Sequence, residues 1–303
     1  MNKFFKGNYM RRAIRKLTSK KICRLLDDRT YLKLKYWAFL GRKLDLKNTK
    51  YFNEKMQWIK LNYYDDRLPS MVDKYEVRKY IAKWIGDEFL VPLIGVWNKA
   101  EDIEWDLLPD KFVLKCTHGS HTNIICYNKN NLNINETTKQ LDEWLNDKGT
   151  YYFGREWPYK YVQPRIIAEK LIETDDPGGI RDYKFLCFEG RPDNVMVCSN
   201  RQVGNISFDH FTRDWTLLRC QYVDGSKPEN YTIEKPDQMD EMFEIAEKLS
   251  SRFHFVRVDL YCENNKIYFG ELTFFPSSGF DLDYSEQGDL MFGRMIDLKK
   301  FVN

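Results

Sequence analysis

At 303 residues, 43% hydrophobic and 16% aromatic, the chain can bury a substantial core and lies at the size where one core begins to divide into lobes. Its net charge of +3 hides a lopsided distribution: residues 1–50 hold sixteen Lys or Arg against only Asp27, Asp28 and Asp45, a local +13, so the remainder carries about −10. That negative remainder, without a nucleic-acid motif, excludes a nucleic-acid binder; no apolar run approaches the roughly 20 residues of a membrane span, and the charged N-terminus lacks the apolar stretch of a secretory signal.

In chain order, residues 9–26 read as a basic amphipathic helix, with Met10, Ala13, Ile14, Leu17, Ile22, Leu25 and Leu26 at near-helical spacing between Arg and Lys. A second helical pattern covers 71–85 and is stopped by Gly86, after which 89–97 reads as a strand interrupted at Pro92. Residues 112–116 form a short strand ending at Thr117-His118-Gly119-Ser120, with 124–127 as its hairpin partner, and 135–146 is helical. Strands follow at 165–172, 183–188 and 194–198, then a helix at 239–251 and a last strand pair at 255–261 and 266–274. Strands followed by helices without strict alternation define an α+β class.

Cys23, Cys116, Cys126, Cys187, Cys198, Cys220 and Cys262 are an odd set without C-x-x-C spacing, which reads as reduced thiols of a cytoplasmic protein. The four histidines include one close pair, His118 and His121, but no third ligand at zinc spacing.

The chemistry concentrates in the last strand pair. Side chains alternate along a strand, so Arg257 and Asp259 share one face, as do Glu271 and Thr273. Two readings stand side by side: Asp259 and Glu271 hold magnesium through oxygen ligands, or the strands carry a surface ladder of ion pairs. Asp259 opposite Glu271 puts Arg257 opposite Thr273, sends Val256, Val258, Leu260, Leu272 and Phe274 into the core, and predicts a three-residue loop, Asn264-Asn265-Lys266, closed by Glu263 opposite Ile267. A two-residue Asn264-Asn265 turn without a compensating bulge would put the two carboxylates on opposite faces. If they share a face, Asp259→Asn and Glu271→Gln should relieve like-charge repulsion and leave the melting temperature unchanged or higher.

Lys115 ends a strand at His118-Gly119-Ser120, which can wrap phosphate oxygens or be an ordinary hairpin turn. Residues 166–172 can present main-chain groups, Glu169 and Lys170 to an adenine; equally, that polar pair can mark where the strand reaches solvent.

The order of these elements resembles the ATP-grasp enzymes. The runs 53–58 (N-E-K-M-Q-W), 72–78 (V-D-K-Y-E-V-R), Phe112–Cys116, 165–169 (R-I-I-A-E), 181–185 (R-D-Y-K-F) and 268–274 (Y-F-G-E-L-T-F) are similar to the TupA-like branch, linked to teichuronopeptide and other bacterial surface polysaccharides. The resemblance implies two α+β lobes gripping ATP behind a helical N-terminal region. It divides the chain into an arm (1–50), a substrate-side segment (51–108), a lid (109–164) and a central to C-terminal segment (165–303). It implies ATP and Mg2+ as cofactors: Lys115 and Lys184 on phosphates, Glu169 with the Leu171 and Ile172 backbone on adenine, Asp259 and Glu271 on magnesium. Thr273 stands where the family usually has Asn, and Arg257 faces the transferring phosphoryl group. Arg201 and Ser277-Ser278-Gly279 are the candidates for gripping a carboxylate, which an Arg fork matches with two parallel hydrogen bonds.

The implied reaction is carboxylate–amine ligation through an acyl phosphate, joining an amino acid or amino alcohol to a uronic acid of a surface polysaccharide. A kinase that stops at phosphorylation is the alternative within enzymes. A glycosyltransferase or a non-catalytic glycan-assembly partner is the alternative from a different class. Residues 1–30 either lie on an anionic membrane leaflet or pack on the protein with their cations solvated.

Overall fold

The computed structural model describes residues 3–18, 21–147, 149–218, 228 and 231–302; Cys220 and residues 19 and 20 of the predicted basic helix fall outside them. The helix expected over 9–26 is shorter at its C-terminal end: α1 spans Lys3–Thr18, a 3-10 turn follows at Lys21–Leu25, and a further helix, α2, spans Asp28–Leu40. Asp27 starts α2 by accepting from the Thr30 amide at 2.9 Å, and Gly41, at φ 73°, ends it. Arg11 and Arg15 both fork onto the last carbonyls of α2, Ala38 and Phe39, at 2.8–3.3 Å, where cations suit a helix C-terminus. Two of the arm's cations are thus turned inward, while Tyr9, Met10 and Leu17 face out.

Helix α3 (Phe52–Asn62) begins where the Glu54 carboxylate accepts from the Lys50 and Tyr51 amides. The helix expected over 71–85 is two pieces, α4 (Leu68–Val72) and α5 (Val77–Trp84). Asp73 breaks it, because its Oδ1 takes the Tyr75 and Glu76 amides at 2.8 and 3.2 Å and so offers the backbone a turn.

Strands β1 (Leu93–Trp97), β2 (Phe112–Cys116) and β3 (Asn123–Cys126) are followed by α6 (Ile134–Leu145), α7 (Gly149–Gly154) and β4 (Ile166–Lys170). The four strands form one antiparallel sheet in the order β1-β4-β2-β3, with Leu141 of α6 packed on Phe112, Leu114, Cys116 and Ala168. A second antiparallel sheet takes β5 (Asp182–Phe188), β6 (Arg191–Ser199), β7 (Ser207–Thr212), β8 (Phe255–Glu263) and β9 (Lys266–Thr273) in the order β7-β6-β5-β8-β9. Helix α8 (Met239–Ser250) puts Met242, Phe243, Ala246 and Leu249 into its core, and Phe52, Met56 and Ile59 of α3 and Phe292 of α9 (Glu286–Arg294) join the same cluster.

In the β8–β9 hairpin Asp259 does lie opposite Glu271 and Arg257 opposite Thr273, and Val256, Val258, Leu260, Leu272 and Phe274 are buried together. The loop differs from expectation. Asn264 and Asn265, at φ 51° and 60°, make a two-residue turn closed by Glu263 opposite Lys266, as paired left-handed residues do. Gly270 absorbs the one-residue difference as a bulge between Phe269, which faces Leu260, and Glu271. A Cβ there would stand 3.0 Å from the Asp259 carbonyl, so the bare backbone lets β9 press against β8 at this point.

Candidate active site

The bulge delivers a strip of charge across the second sheet. Arg257 donates to Asp259 with Nε and Nη2, both at 2.7 Å, and reaches Glu271 at 3.2 Å and Thr273 Oγ1 at 3.1 Å; Thr273 in turn donates to Glu271 at 3.0 Å. From β5, Lys184 bridges Asp259 and Asp182. Asp259 is 1% exposed, so the strip is no surface ladder; the Glu271 side chain is 43% exposed. Burial pushes the Asp259 carboxyl up against the pull of Arg257 and Lys184. For Glu271 burial is outweighed, and Arg257, Lys184 and Lys74 hold the carboxyl down to about 2. Against the expectation that both substitutions relieve repulsion, Asp259→Asn would leave Arg257 and Lys184 each short of a partner.

Across the site, Lys115 of β2 pairs with Glu169 of β4 at 2.6 Å, and Arg78 of α5 takes the other Glu169 oxygen at 2.7 Å. Glu169 is 6% exposed, so the strand does not reach solvent there, whereas Lys170 next to it is exposed. Leu171 and Ile172 lie just beyond the end of β4, half-buried. The His118 side chain turns away from the loop: its Nε2 meets the Trp144 and Asp147 carbonyls at 3.0 and 3.3 Å, at the end of α6, and burial lowers its pKa. Its side chain is thus not available to the loop expected to hold phosphates. The Gly119 carbonyl accepts from Lys74. Arg201 is tied to Asp182 at 2.8 Å, so its fork is partly engaged before any substrate arrives.

Ser277, Ser278 and Gly279 follow β9 as three successive left-handed residues, at φ 49°, 52° and 64°. Two of them are not glycine, each costing on the order of 1 kcal/mol or more, so the surroundings must impose the turn. Helix α3 does so from one face. Asn53 binds both Asp281 backbone groups, Gln57 donates to the Ser278 and Gly279 carbonyls at 3.1 and 2.6 Å, and Lys60 donates to the Ser278 carbonyl at 2.9 Å. The Ser278 hydroxyl donates to the buried Glu156.

Sequence reasoning missed Lys60, Lys74, Arg78, Glu156 and Asp182 as site groups, although the similar runs at 53–58, 72–78 and 181–185 lead into or contain four of them. Asp259, Glu271 and Thr273 fit magnesium by their chemistry, since two carboxylates and a hydroxyl are hard oxygen donors, here bridged by Arg257. Among the described residues no cluster of three or more His, Cys, Asp and Glu makes a closed cage.

Two antiparallel sheets, with paired Lys and Glu on one and this Arg-bridged carboxylate pair on the other, define an ATP-grasp ligase, a class that binds ATP. Residues 54–297 match the model of the TupA-like ATP-grasp family, and the chain belongs to it. A search of the curated proteins finds no match. Among solved structures, the chain is similar to D-alanine–D-alanine ligase from Bacillus anthracis (16% identity, 83% of this chain and 67% of that one, TM-score 0.39). It is also similar to that ligase from Helicobacter pylori (14%, 81% and 69%, 0.43). A phosphoribosylamine–glycine ligase from Thermotoga maritima matches at 11% identity and TM-score 0.40, over 72% of this chain and about half, 52%, of its own.

Proposed function

We propose that this protein uses ATP to join a carboxylate to an amine, releasing ADP and phosphate by way of an acyl phosphate. The observation that carries the reading is the convergence of Asp259, Glu271, Thr273, Arg257 and Lys184 on one face of the second sheet. Lys115, Lys184 and the Gly119-Ser120 backbone would hold the phosphates, and Glu169, Lys170 and the Leu171 and Ile172 backbone the adenine. Magnesium held by Asp259, Glu271 and Thr273 would neutralise phosphate charge when bound. Arg257, already aimed along that face, offsets the negative charge that grows on the transferring group. The remaining catalysis is positioning, with residues 109–164 as a lid that keeps water from the acyl phosphate. Arg201 and the Ser277-Ser278-Gly279 turn grip the carboxylate.

An amino acid or amino alcohol as the amine and a uronic acid of a bacterial surface polysaccharide as the acceptor are what the resemblance of the sequence runs to the TupA-like branch implies. The outward Tyr9, Met10 and Leu17 of α1, beside exposed Arg12, suit the anionic inner face of a cell membrane, next to a lipid-linked glycan. No helix among the described residues is long and apolar enough to cross that membrane. A glycosyltransferase is disfavoured by its own best motif. The D-x-D at Asp281 and Asp283 is engaged in its own loop, where Asp281 takes the Ser277 hydroxyl and the Asp283 amide, both at 2.9 Å.

The test is ADP release from ATP and magnesium, screened against uronic acids with and without amines. Turnover should need both substrates. Release of AMP and pyrophosphate would overturn the reading, and ADP formation indifferent to the amine would establish the kinase instead.

A further inference from the structure

We propose that Glu156 is the amine subsite: its carboxylate binds the substrate ammonium and takes its proton, freeing the amine to attack the acyl phosphate. This rests on the ligase reading above. Most carboxylates around the site are already answered by cations. Asp182 has Lys184 and Arg201, Asp259 has Arg257 and Lys184, Glu271 has Arg257, and Glu169 has Arg78 and Lys115. Asp281 has both oxygens engaged within its own loop.

Glu156 differs from all of these. It is 8% exposed, one oxygen accepts from the Ser278 hydroxyl, and no described group donates to the other. It stands at the N-cap of the 3-10 turn Trp157–Lys160, yet its side chain makes no capping bond and is directed at the substrate turn instead. Gly154 leaves the space for this, since a Cβ there would lie 2.7 Å from the carboxylate and 2.4 Å from the Ser278 hydroxyl. The charged and titratable groups that face Glu156 are Lys60 of α3, Lys35 of α2, Glu271 of β9 and the Tyr159 hydroxyl. Neither lysine bonds to it: Lys60 donates to the Ser278 and Gly154 carbonyls, and Lys35 to Phe153 and Tyr31. Burial draws both lysines toward neutral amines and pushes the Glu156 carboxyl up, with Lys60, unbonded to it, as the main charge opposing that rise. A buried carboxylate with an open oxygen and no bonded cation, beside the turn that faces the acceptor, is matched by an ammonium with its three donors.

In the step, the ammonium gives one proton to Glu156 and the freed lone pair attacks the carbonyl carbon of the acyl phosphate. The C–N bond forms, the C–O bond to phosphate breaks, and phosphate leaves with that electron pair and the nitrogen's second surplus proton. Glu156 then returns its proton to solvent.

Hydroxylamine separates this step from the rest, because it is uncharged at neutral pH and traps an acyl phosphate as a hydroxamate without a base. Full-length enzyme is given ATP, magnesium and galacturonate, or whichever uronic acid the turnover screen identifies, with either the amine or hydroxylamine. Glu156→Gln should lower amide formation by about 100-fold and raise the amine KM, while hydroxamate formation changes less than about threefold. Where that variant is not recovered folded, Glu156→Asp keeps the charge and displaces it, and the amide-to-hydroxamate ratio should still fall about tenfold. Equal loss of both products, or amide synthesis at the wild-type rate, overturns the assignment. If the wild type yields neither ADP nor hydroxamate, the ligase reading falls and this inference with it; hydroxamate formation with unaffected amide synthesis in the variant removes the inference alone.

Discussion

Asp259→Asn should destabilise the metal-free protein far more than Glu271→Gln, although both carboxylates are assigned to one ion. Asp259 is 1% exposed and takes two hydrogen bonds from Arg257 and one from Lys184, whose side chains are themselves only 12% and 9% exposed. Removing one partner of a buried ion pair costs about 3–5 kcal/mol, and here the lower end applies, because Lys184 keeps Asp182 and Arg257 keeps Glu271. At about 2–4 °C per kcal/mol that is roughly a 6–12 °C drop in Tm. Glu271 is 43% exposed and meets Arg257 through a single contact at 3.2 Å, so its loss should stay within about 1 kcal/mol. Urea unfolding in EDTA reads both values, with unchanged m values as the control. An Asp259→Asn protein within about 1 kcal/mol of wild type, or no weaker than Glu271→Gln, would refute the argument that Asp259 neutralises two buried cations. Both variants should lose turnover and the stabilisation that magnesium with ADP gives the wild type.

Two further outcomes follow from the N-terminal helices. Lys35 is 1% exposed, and burial, aided by Lys60, lowers its pKa to about 6. The unfolded chain therefore binds a proton that the fold excludes, so stability should rise from about pH 6 toward pH 10 and be flat below. Lys35→Met should raise stability at pH 7.5 by up to about 4 kcal/mol, less whatever the Phe153 and Phe280 rings return to the charged form, and the gain should shrink as pH rises. A destabilised Lys35→Met protein at neutral pH would mean that the rings hold a full ammonium. Deleting residues 1–30 should reduce binding to anionic vesicles in a salt-sensitive way while solution ADP release continues. Full-length protein that ignores such vesicles would mark the arm as structural.

The hairpin face was legible because period-two alternation needs only neighbouring residues, and Arg257, Asp259, Glu271 and Thr273 stand out against apolar positions between them. The bulge was legible too, had the apolar step been followed: Ile267 to Phe269 is two residues, Phe269 to Leu272 is three, and Leu272 to Phe274 is two again. Asp73 hid its helix break inside an amphipathic pattern, because a side chain competing for backbone amides leaves periodicity untouched. Glu169 read as a strand end because its partners, Lys115 and Arg78, are 54 and 91 residues away. The same distance problem concealed Lys60 and Glu156, which meet only through Ser278 and Gly154.

The left-handed turn at Ser277-Ser278-Gly279 also sets an order of events during synthesis. Its bonds to Gln57 and Lys60 span 218 to 222 residues, and Asn53 reaches 236 residues forward to Asp289. Helix α3 leaves the ribosome well before this turn, yet the Asn53 and Gln57 side chains find their partners only once the segment after β9 has emerged. Until then Asn53 and Gln57 lie on a face with nothing to bind and Lys60 has the Gly154 carbonyl alone, and loop closure over such a span is slow. A growing chain can thus pair its first sheet early, but the left-handed turn and its bonds to α3 are completed late, and truncation a few dozen residues from the C-terminus leaves the Asn53 and Gln57 side chains without their partners.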